Sequence, residues 1–269
     1  MRLCVEFSSA APVALPWDYP HHLHGMLVQA ILEARPQLDK LLHGQGFQVE
    51  GHRYRLLTAS WLFAERFYRT PESLVFVPPI RWWVSSPLSA LMEALSVTLL
   101  VKPERRLAAA LLMVSTVRVE PMVAFEGQAA LFRTISPIVV STVELRPDGK
   151  RYRRFLSPED AAFWRNLEQN LRRKAQGLYG DGQQFGPLAF RTVTPGRSRL
   201  VTVQGTNVRG WELEFWIWGD PVLIALGYEA GFGERNQQCF GMVRLLRTGK
   251  PPAELEQHEP GAEEAPSSP

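Results

Sequence analysis

Six histidines stand in this 269-residue chain, and imidazole is the side chain best suited to give and take protons near neutral pH. His43 lies in Leu41-Leu42-His43-Gly44-Gln45-Gly46-Phe47. A histidine followed by Gly-x-Gly belongs in an open loop, not in a core, so His43 is a candidate acid or base facing a substrate. His24 falls one residue after Leu23 of an apolar stripe. It reads either as a half-buried helix histidine or as a second acid/base partner. His21 and His22 fall in a first helical turn, where the dipole disfavours a charged imidazole, so they are expected to be neutral or solvent-facing. His52 heads a strand beside Arg53, Tyr54 and Arg55, a setting for contact with a polyanion more than for proton transfer. Tyr19 serves either to orient a phosphate or as a staple aromatic. His258 lies in the tail and is set aside. His21, His22 and His24 crowd one turn with no Asp, Glu or Cys at HExxH-like spacing, so no metal site is expected.

A second feature is Gly231-Phe232-Gly233-Glu234-Arg235-Asn236, followed by Cys239-Phe240-Gly241-Met242-Val243. Such glycines let the backbone turn tightly and bring N–H groups near an anion, or else simply close a hairpin. No Gly-Lys-Ser/Thr follows, and the glycines precede the last strand instead of following the first, so neither a Walker loop nor a dinucleotide fingerprint is present. Basic side chains gather at Arg146, Lys150, Arg151, Arg153 and Arg154 and again at Arg172, Arg173 and Lys174; a solvated face and a phosphate-binding face both fit. Trp82, Trp83, Trp216 and Trp218 can stack bases, although strand tryptophans are more often core.

The charge is unevenly placed. From Lys250 onward five Glu oppose one Lys, so the net +3 of the chain divides into −4 in the tail and +7 before it. Arginine dominates the basic residues, which suits phosphate, a GC-rich genome or heat adaptation alike. Cys4 and Cys239 have no zinc-spaced companions, which points to small core thiols in a reduced, cytoplasmic compartment. No signal peptide opens the chain, and no apolar run reaches the roughly 20 residues that cross a bilayer.

Four helices must position these groups, each with proline near its first turn. They open at Asp18-Tyr19-Pro20, Ser86-Pro87, Ser157-Pro158 and Asp220-Pro221. The first carries Leu23, Leu27, Ile31 and Ala34 before Pro36 stops it; the third carries Phe163, Leu167 and Leu171. Strand character covers residues 2–7, 52–60, 73–84, 107–119, 130–145, 187–193, 199–218 and 239–246, with Trp211, Leu213, Phe215 and Ile217 alternating against Glu212 and Glu214. The order strand-helix-strand-strand-helix-strand occurs twice, so the fold class is α+β with two tandem ferredoxin-like (βαββαβ) domains. The expected domains are 1–122, carrying the histidines, and 128–248, carrying the glycine-rich loop. Residues 250–269 read as a disordered acidic tail.

The loop, of the form GFGxRNxxxFG just before the final strand, resembles the signature of the repeat-associated (RAMP) superfamily. Within it, the chain is similar to the CRISPR-associated endoribonucleases that release guide RNAs from the repeat transcript. Three further stretches agree: Met1-Arg2-Leu3 through Leu15-Pro16-Trp17 into His24-Gly25, Thr134-Ile135-Ser136-Pro137-Ile138-Val139-Val140, and Asn170-Leu171-Arg172-Arg173-Lys174. The likeness spans about residues 1–248. Cys239 departs from it, standing where the family usually has glycine; a cysteine is expected at negative φ, which makes the loop less open there.

The resemblance implies a metal-independent cut of CRISPR repeat RNA, with the RNA's own 2′-hydroxyl as nucleophile and a cyclic or 3′-phosphate and a 5′-hydroxyl as products. His43 matches the family's catalytic histidine in Leu-His-x-x-Gly, with His24 as second acid/base candidate. No cofactor is implied. Arg235, Gly231 and Gly233 of the loop, with Arg151, Arg153, Arg154, Arg172, Arg173 and Lys174, are the expected RNA contacts, in a groove between the two halves. A homodimer and a CRISPR effector complex stay open as partners, and which histidine is acid and which base is undecided. The alternatives are a non-catalytic RNA-binding subunit of the same superfamily and a protein-interaction module.

Overall fold

The computed structural model describes residues 1–44, 46–125, 129–203 and 205–249. The tail expectation, 250–269, lies outside them.

The first half opens with β1 (Arg2–Ser8) and β2 (Val13–Pro16), then α1 (Tyr19–Ala34) and a short helix α2 (Asp39–Leu42). A hairpin of β3 (Phe47–Val49) and β4 (His52–Tyr54) follows, then β5 (Thr58–Ala59), β6 (Phe63–Arg69), β7 (Ser73–Ser85), α3 (Ser89–Val101), β8 (Glu104–Leu107) and β9 (Ala110–Val119). In its sheet β1 is central, between β7 and β9, and β6 lies on β7, every pairing antiparallel. The second half runs β10 (Ala129–Thr134), β11 (Ser141–Leu145), β12 (Arg151–Phe155), α4 (Ala161–Tyr179), β13 (Leu188–Thr192), β14 (Arg197–Val203), β15 (Thr206–Glu212), β16 (Glu214–Gly219), α5 (Pro221–Ala230) and β17 (Val243–Gly249). Its sheet has the order β13-β16-β10-β17, again antiparallel. Both sheets have the ferredoxin-like strand order, with β11–β12 and β14–β15 as hairpins inserted into the second.

The helices follow from local chemistry. Pro20 begins α1 and Pro36 ends it, although the chain then continues through a 3₁₀ turn (Pro36–Leu38) straight into α2. In α5 the Asp220 carboxylate accepts the N–H groups of Val222 and Leu223, a cap typically worth about 1 kcal/mol. The stripes that pattern the helices are buried: Leu23, Leu27 and Ile31 of α1 pack with Trp82 and Phe7, while Phe163, Leu167 and Leu171 of α4 pack with Phe132 and Phe215. Each such side chain contributes about 1.5–3 kcal/mol on burial.

Several expected strands are shorter, for identifiable reasons. The 52–60 stretch breaks at Leu56, which takes positive φ. The 130–145 stretch breaks at Pro137, which has no N–H for a ladder. The 199–218 stretch is three strands, and the alternation through Trp211–Ile217 straddles the change of partner from β14 to β10. The strand expected from 239 begins at Val243, because Cys239 adopts φ 64; the expectation of negative φ there is corrected. β6 has no sequence signature, since its side chains face solvent almost throughout.

The halves exchange segments. Val49, Tyr54 and Leu56 of the first half are buried in the core of the second, while Cys239 of the second is buried in the core of the first. Gly177 of α4 lets the β3–β4 hairpin close in, since a Cβ there would stand 3.1 Å from the Phe47 side chain.

Candidate active site

The exchange creates a cavity of about 710 Å³ walled by α1, the β3–β4 hairpin, β11, β12, α4 and the glycine-rich loop. His24, His43, Arg53, Arg55, Asn170 and Arg235 line it.

His43 caps the C-terminus of α2, and its N–H donates to the Asp39 carbonyl at 2.8 Å. Its Nδ1 lies 2.7 Å from Asp39 Oδ1. A carboxylate accepts, so Nδ1 carries the proton and Nε2 is left for the cavity. The buried Leu42 anchors this turn, and Arg55 Nε donates to its carbonyl at 2.6 Å. The His43 ring itself is 57% exposed. His24 projects from α1 with Nδ1 2.9 Å from the Gln237 carbonyl oxygen, so here too Nδ1 is the protonated nitrogen. Burial pulls the His24 pKa below its usual 6.5, and His21, Arg55 and His43 push the same way against the Gln237 hydrogen bond. His24 is therefore neutral at pH 7, with a lone pair on Nε2.

The glycine-rich loop is wired internally. Its Phe232 N–H donates to Gly241, Glu234 to Val139, and Gly241 to Pro137. Of the two readings of the loop, these three donors favour a structural turn: they close it on itself and tie it to the Pro137–Val139 segment. Gly231 is buried, donates to Gly227, and is not on the cavity wall. Gly233 is on the wall. A Cβ on Gly241 would stand 1.9 Å from the Phe232 carbonyl oxygen, which is why glycine is required there. Asn236 braces the turn by donating to the Phe232 and Phe240 carbonyls.

Lys174, expected to hold RNA, borders the cavity, but its ammonium is occupied by the protein itself. It is 2% exposed, and its ammonium donates to Gly231 O, Gly233 O and Asn236 Oδ1 at 2.7, 3.0 and 2.7 Å. Burial lowers its pKa to about 7. It supports the loop from beneath. Arg172 donates to Glu168 and to the Phe185 and Gly186 carbonyls, and Arg154 is paired with Glu144 and Asp160; neither lines the cavity. Arg151 is exposed, away from the wall. Arg153 and Arg173 reach the cavity but are paired with Glu234 and Glu50. Arg53, Arg55 and Arg235 line it with no acidic partner among the described residues; Arg235 bonds Gln238 Oε1 at 3.0 Å. Tyr19 is buried, accepts the Leu62 N–H and packs edge-on against Phe76, so it is a core aromatic. Trp82, Trp83 and Trp216 are buried. Among the described residues no three His, Cys, Asp or Glu come together as a metal site needs.

Asp39 and the Gln237 carbonyl carry no role in the sequence reading, and Arg55 enters it only as a neighbour of His52. Asp39 had a signal, its i, i+4 spacing from His43; the Gln237 carbonyl had none.

Two antiparallel ferredoxin-like units in tandem, with a glycine-rich loop packed between them before the last strand, define the class of fold. A family profile described as "CRISPR associated protein Cas6, C-terminal" matches residues 119–245. The chain is 30% identical over 238 residues to the CRISPR-associated endoribonuclease Cas6 of Pyrococcus furiosus, covering 86% of this chain and 83% of that one. It is 28% identical over 249 residues to the CRISPR-associated endoribonuclease Cas6 1 of Methanocaldococcus jannaschii, covering 90% and 92%. A solved structure titled "CRISPR associated protein Cas6" superposes with a TM-score of 0.77 at 25% identity, over 92% of this chain and 99% of that one. The chain belongs to the Cas6 family.

Proposed function

We propose that this chain is a metal-independent endoribonuclease that cuts CRISPR repeat RNA within the precursor transcript, using histidine acid/base catalysis in the cavity between its halves. The observation that carries the reading is the pair His24 and His43. They come from separate elements onto one cavity wall, each with Nδ1 engaged by an oxygen and Nε2 without a partner among the described residues. Family membership, and relatives named as endoribonucleases, supply the substrate class.

In the reaction one imidazole removes the 2′-hydroxyl proton, the 2′-oxygen bonds to phosphorus, the P–O5′ bond breaks, and the other imidazole protonates the departing 5′-oxygen. Proton count is conserved, and a 2′,3′-cyclic phosphate and a 5′-hydroxyl result. Arg53, Arg55 and Arg235 supply positive charge for the phosphorane. Each proton role is worth roughly 10²–10⁴-fold.

The test is cleavage of a labelled CRISPR-repeat RNA in EDTA by wild type and by His43→Ala, with a second substrate carrying a 2′-deoxy group at the cut site. A single wild-type cut, absent from both controls while binding persists, is expected. Binding with no cut across a panel of repeats would make the chain a non-catalytic RNA-binding member of the superfamily.

A further inference from the structure

We propose that Asp39 is a positioning residue for this reaction, fixing which nitrogen of His43 meets the RNA and making His43 the general acid, with His24 as the general base. The assignment rests on the reading just given and adds to it a residue and a division of roles.

Asp39 and His43 stand at the two ends of one four-residue turn of helix. Two hydrogen bonds join them, one from the His43 backbone N–H to the Asp39 carbonyl and one from the ring to the carboxylate. The first fixes where the side chain starts and the second fixes the ring's rotation and tautomer, which leaves Nε2 as the unengaged nitrogen of a residue that lines the cavity. Arg55 holds the same turn through the Leu42 carbonyl. Both side chains of the pair are more than half exposed, so the contact adds little stability; its consequence is orientation.

The two histidines differ in what faces Nδ1. His43 has a carboxylate, a full negative charge that stabilises positive charge on the ring whenever it forms. His24 has a backbone carbonyl, only a dipole, in a half-buried position where cationic Arg55 oppose its charging. A cationic imidazole has a proton on Nε2 to give, and a neutral one with Nδ1–H has an Nε2 lone pair to take one. The asymmetry therefore places the acid on α2 and the base on α1.

The experiment compares wild type, Asp39→Ala, Asp39→Asn, His43→Ala and His24→Ala on two repeat RNAs. One is unmodified; the other has sulfur replacing the 5′-bridging oxygen at the cut site. A thiolate leaves without being protonated, so the second substrate needs a base but no acid. On unmodified RNA, Asp39→Ala and Asp39→Asn are expected to lose roughly 10–100-fold, as outer-shell partners of a functional histidine do, and His43→Ala to lose more. On the sulfur substrate these three return to within about tenfold of wild type, while His24→Ala stays defective. Affinity for an uncleavable 2′-deoxy repeat is unchanged in the Asp39 variants.

Wild-type rates for both Asp39 variants on unmodified RNA would overturn the proposal. So would rescue of His24→Ala in place of His43→Ala, which would reverse the roles. Wild type that binds both RNAs and cuts neither would remove the cleavage reading itself, a result distinct from failure at Asp39.

Discussion

His24 Nδ1 lies 2.9 Å from the carbonyl oxygen of Gln237, a hydrogen bond that joins the first helix to the glycine-rich loop across 213 residues of sequence. It makes the geometry of the first half depend on the loop of the second. His24→Ala is expected to reduce repeat cleavage roughly 10²–10⁴-fold with RNA affinity retained. The same variant loses about 1 kcal/mol of stability from the missing bond, read as a lower urea midpoint. A variant that cuts normally removes His24 from the chemistry and leaves it as a joint between the halves.

The pH dependence of cleavage follows from the burial of His24. Its pKa is lowered, first by desolvation and then by His21, Arg55 and His43. A base acts while deprotonated, so lowering its pKa carries the active form to lower pH. The acid limb of the single-turnover rate is therefore expected below pH 6.5. A limb at or above 6.5 in a rate profile taken from pH 4.5 to 8 contradicts the assignment.

Arg235 and Arg172 separate RNA contact from internal bracing. Arg235 lines the cavity without an acidic partner among the described residues, whereas Arg172 is occupied by Glu168 and two carbonyls. Arg235→Ala is expected to weaken repeat binding and to reduce the log–log salt slope by about 0.7, one single-strand phosphate contact. Arg172→Ala leaves that slope unchanged and lowers stability instead. Filter binding at several salt concentrations distinguishes the two; equal slopes for both variants would put Arg235 outside the RNA path.

How much of this was legible in the chain depended on whether the signal was local. The Leu23-Leu27-Ile31 and Phe163-Leu167-Leu171 stripes are periodic over several turns, and they gave the helices and hence the doubled fold. His43 was visible because glycines follow it. Lys174 was misread as part of an Arg-Arg-Lys surface run, yet it falls three residues after Leu171 and beside Ala175, on the buried face. Helical spacing carried that signal, and composition hid it. Asp39 had only its i, i+4 spacing from His43 as a signal, and α2 is too short for any apolar period to mark those residues as helical. The Gln237 carbonyl, and the burial of Val49 and Tyr54 in the opposite half, arise from contacts between distant segments, on which local pattern has no bearing.

Glycines at two positions predict opposite signs. Gly241 has φ 74 and no room for a Cβ, which would meet the Phe232 carbonyl oxygen at 1.9 Å. Gly241→Ala is expected to cost several kcal/mol, as a combined left-handed and steric penalty. Gly25 is exposed within α1, and a Cβ there meets nothing within 4 Å. Gly25→Ala is expected to stabilise by about 0.5–1 kcal/mol, because glycine in a helix interior gives up more backbone entropy. Thermal melts of the two proteins check both signs.

Lys174 predicts a pH dependence of stability that is separate from catalysis. Burial brings its folded pKa to about 7 from 10.5. The folded value is the lower one, so between about pH 7 and 10.5 the unfolded chain holds a proton that the native chain releases. Stability from this group therefore rises with pH across that window. The slope is at most about 1.4 kcal/mol per pH unit for one proton, and the three oxygen acceptors around the ammonium reduce it by retaining the proton. Lys174→Met removes the titrating group. It also leaves the Gly231 and Gly233 carbonyls without their donor, so the variant is less stable at pH 7. The decisive quantity is the difference in unfolding free energy between wild type and Lys174→Met, measured in urea from pH 7 to 9. It is expected to widen with pH in favour of wild type. A constant difference would mean that Lys174 stays charged throughout, held by its acceptors against the burial that opposes it.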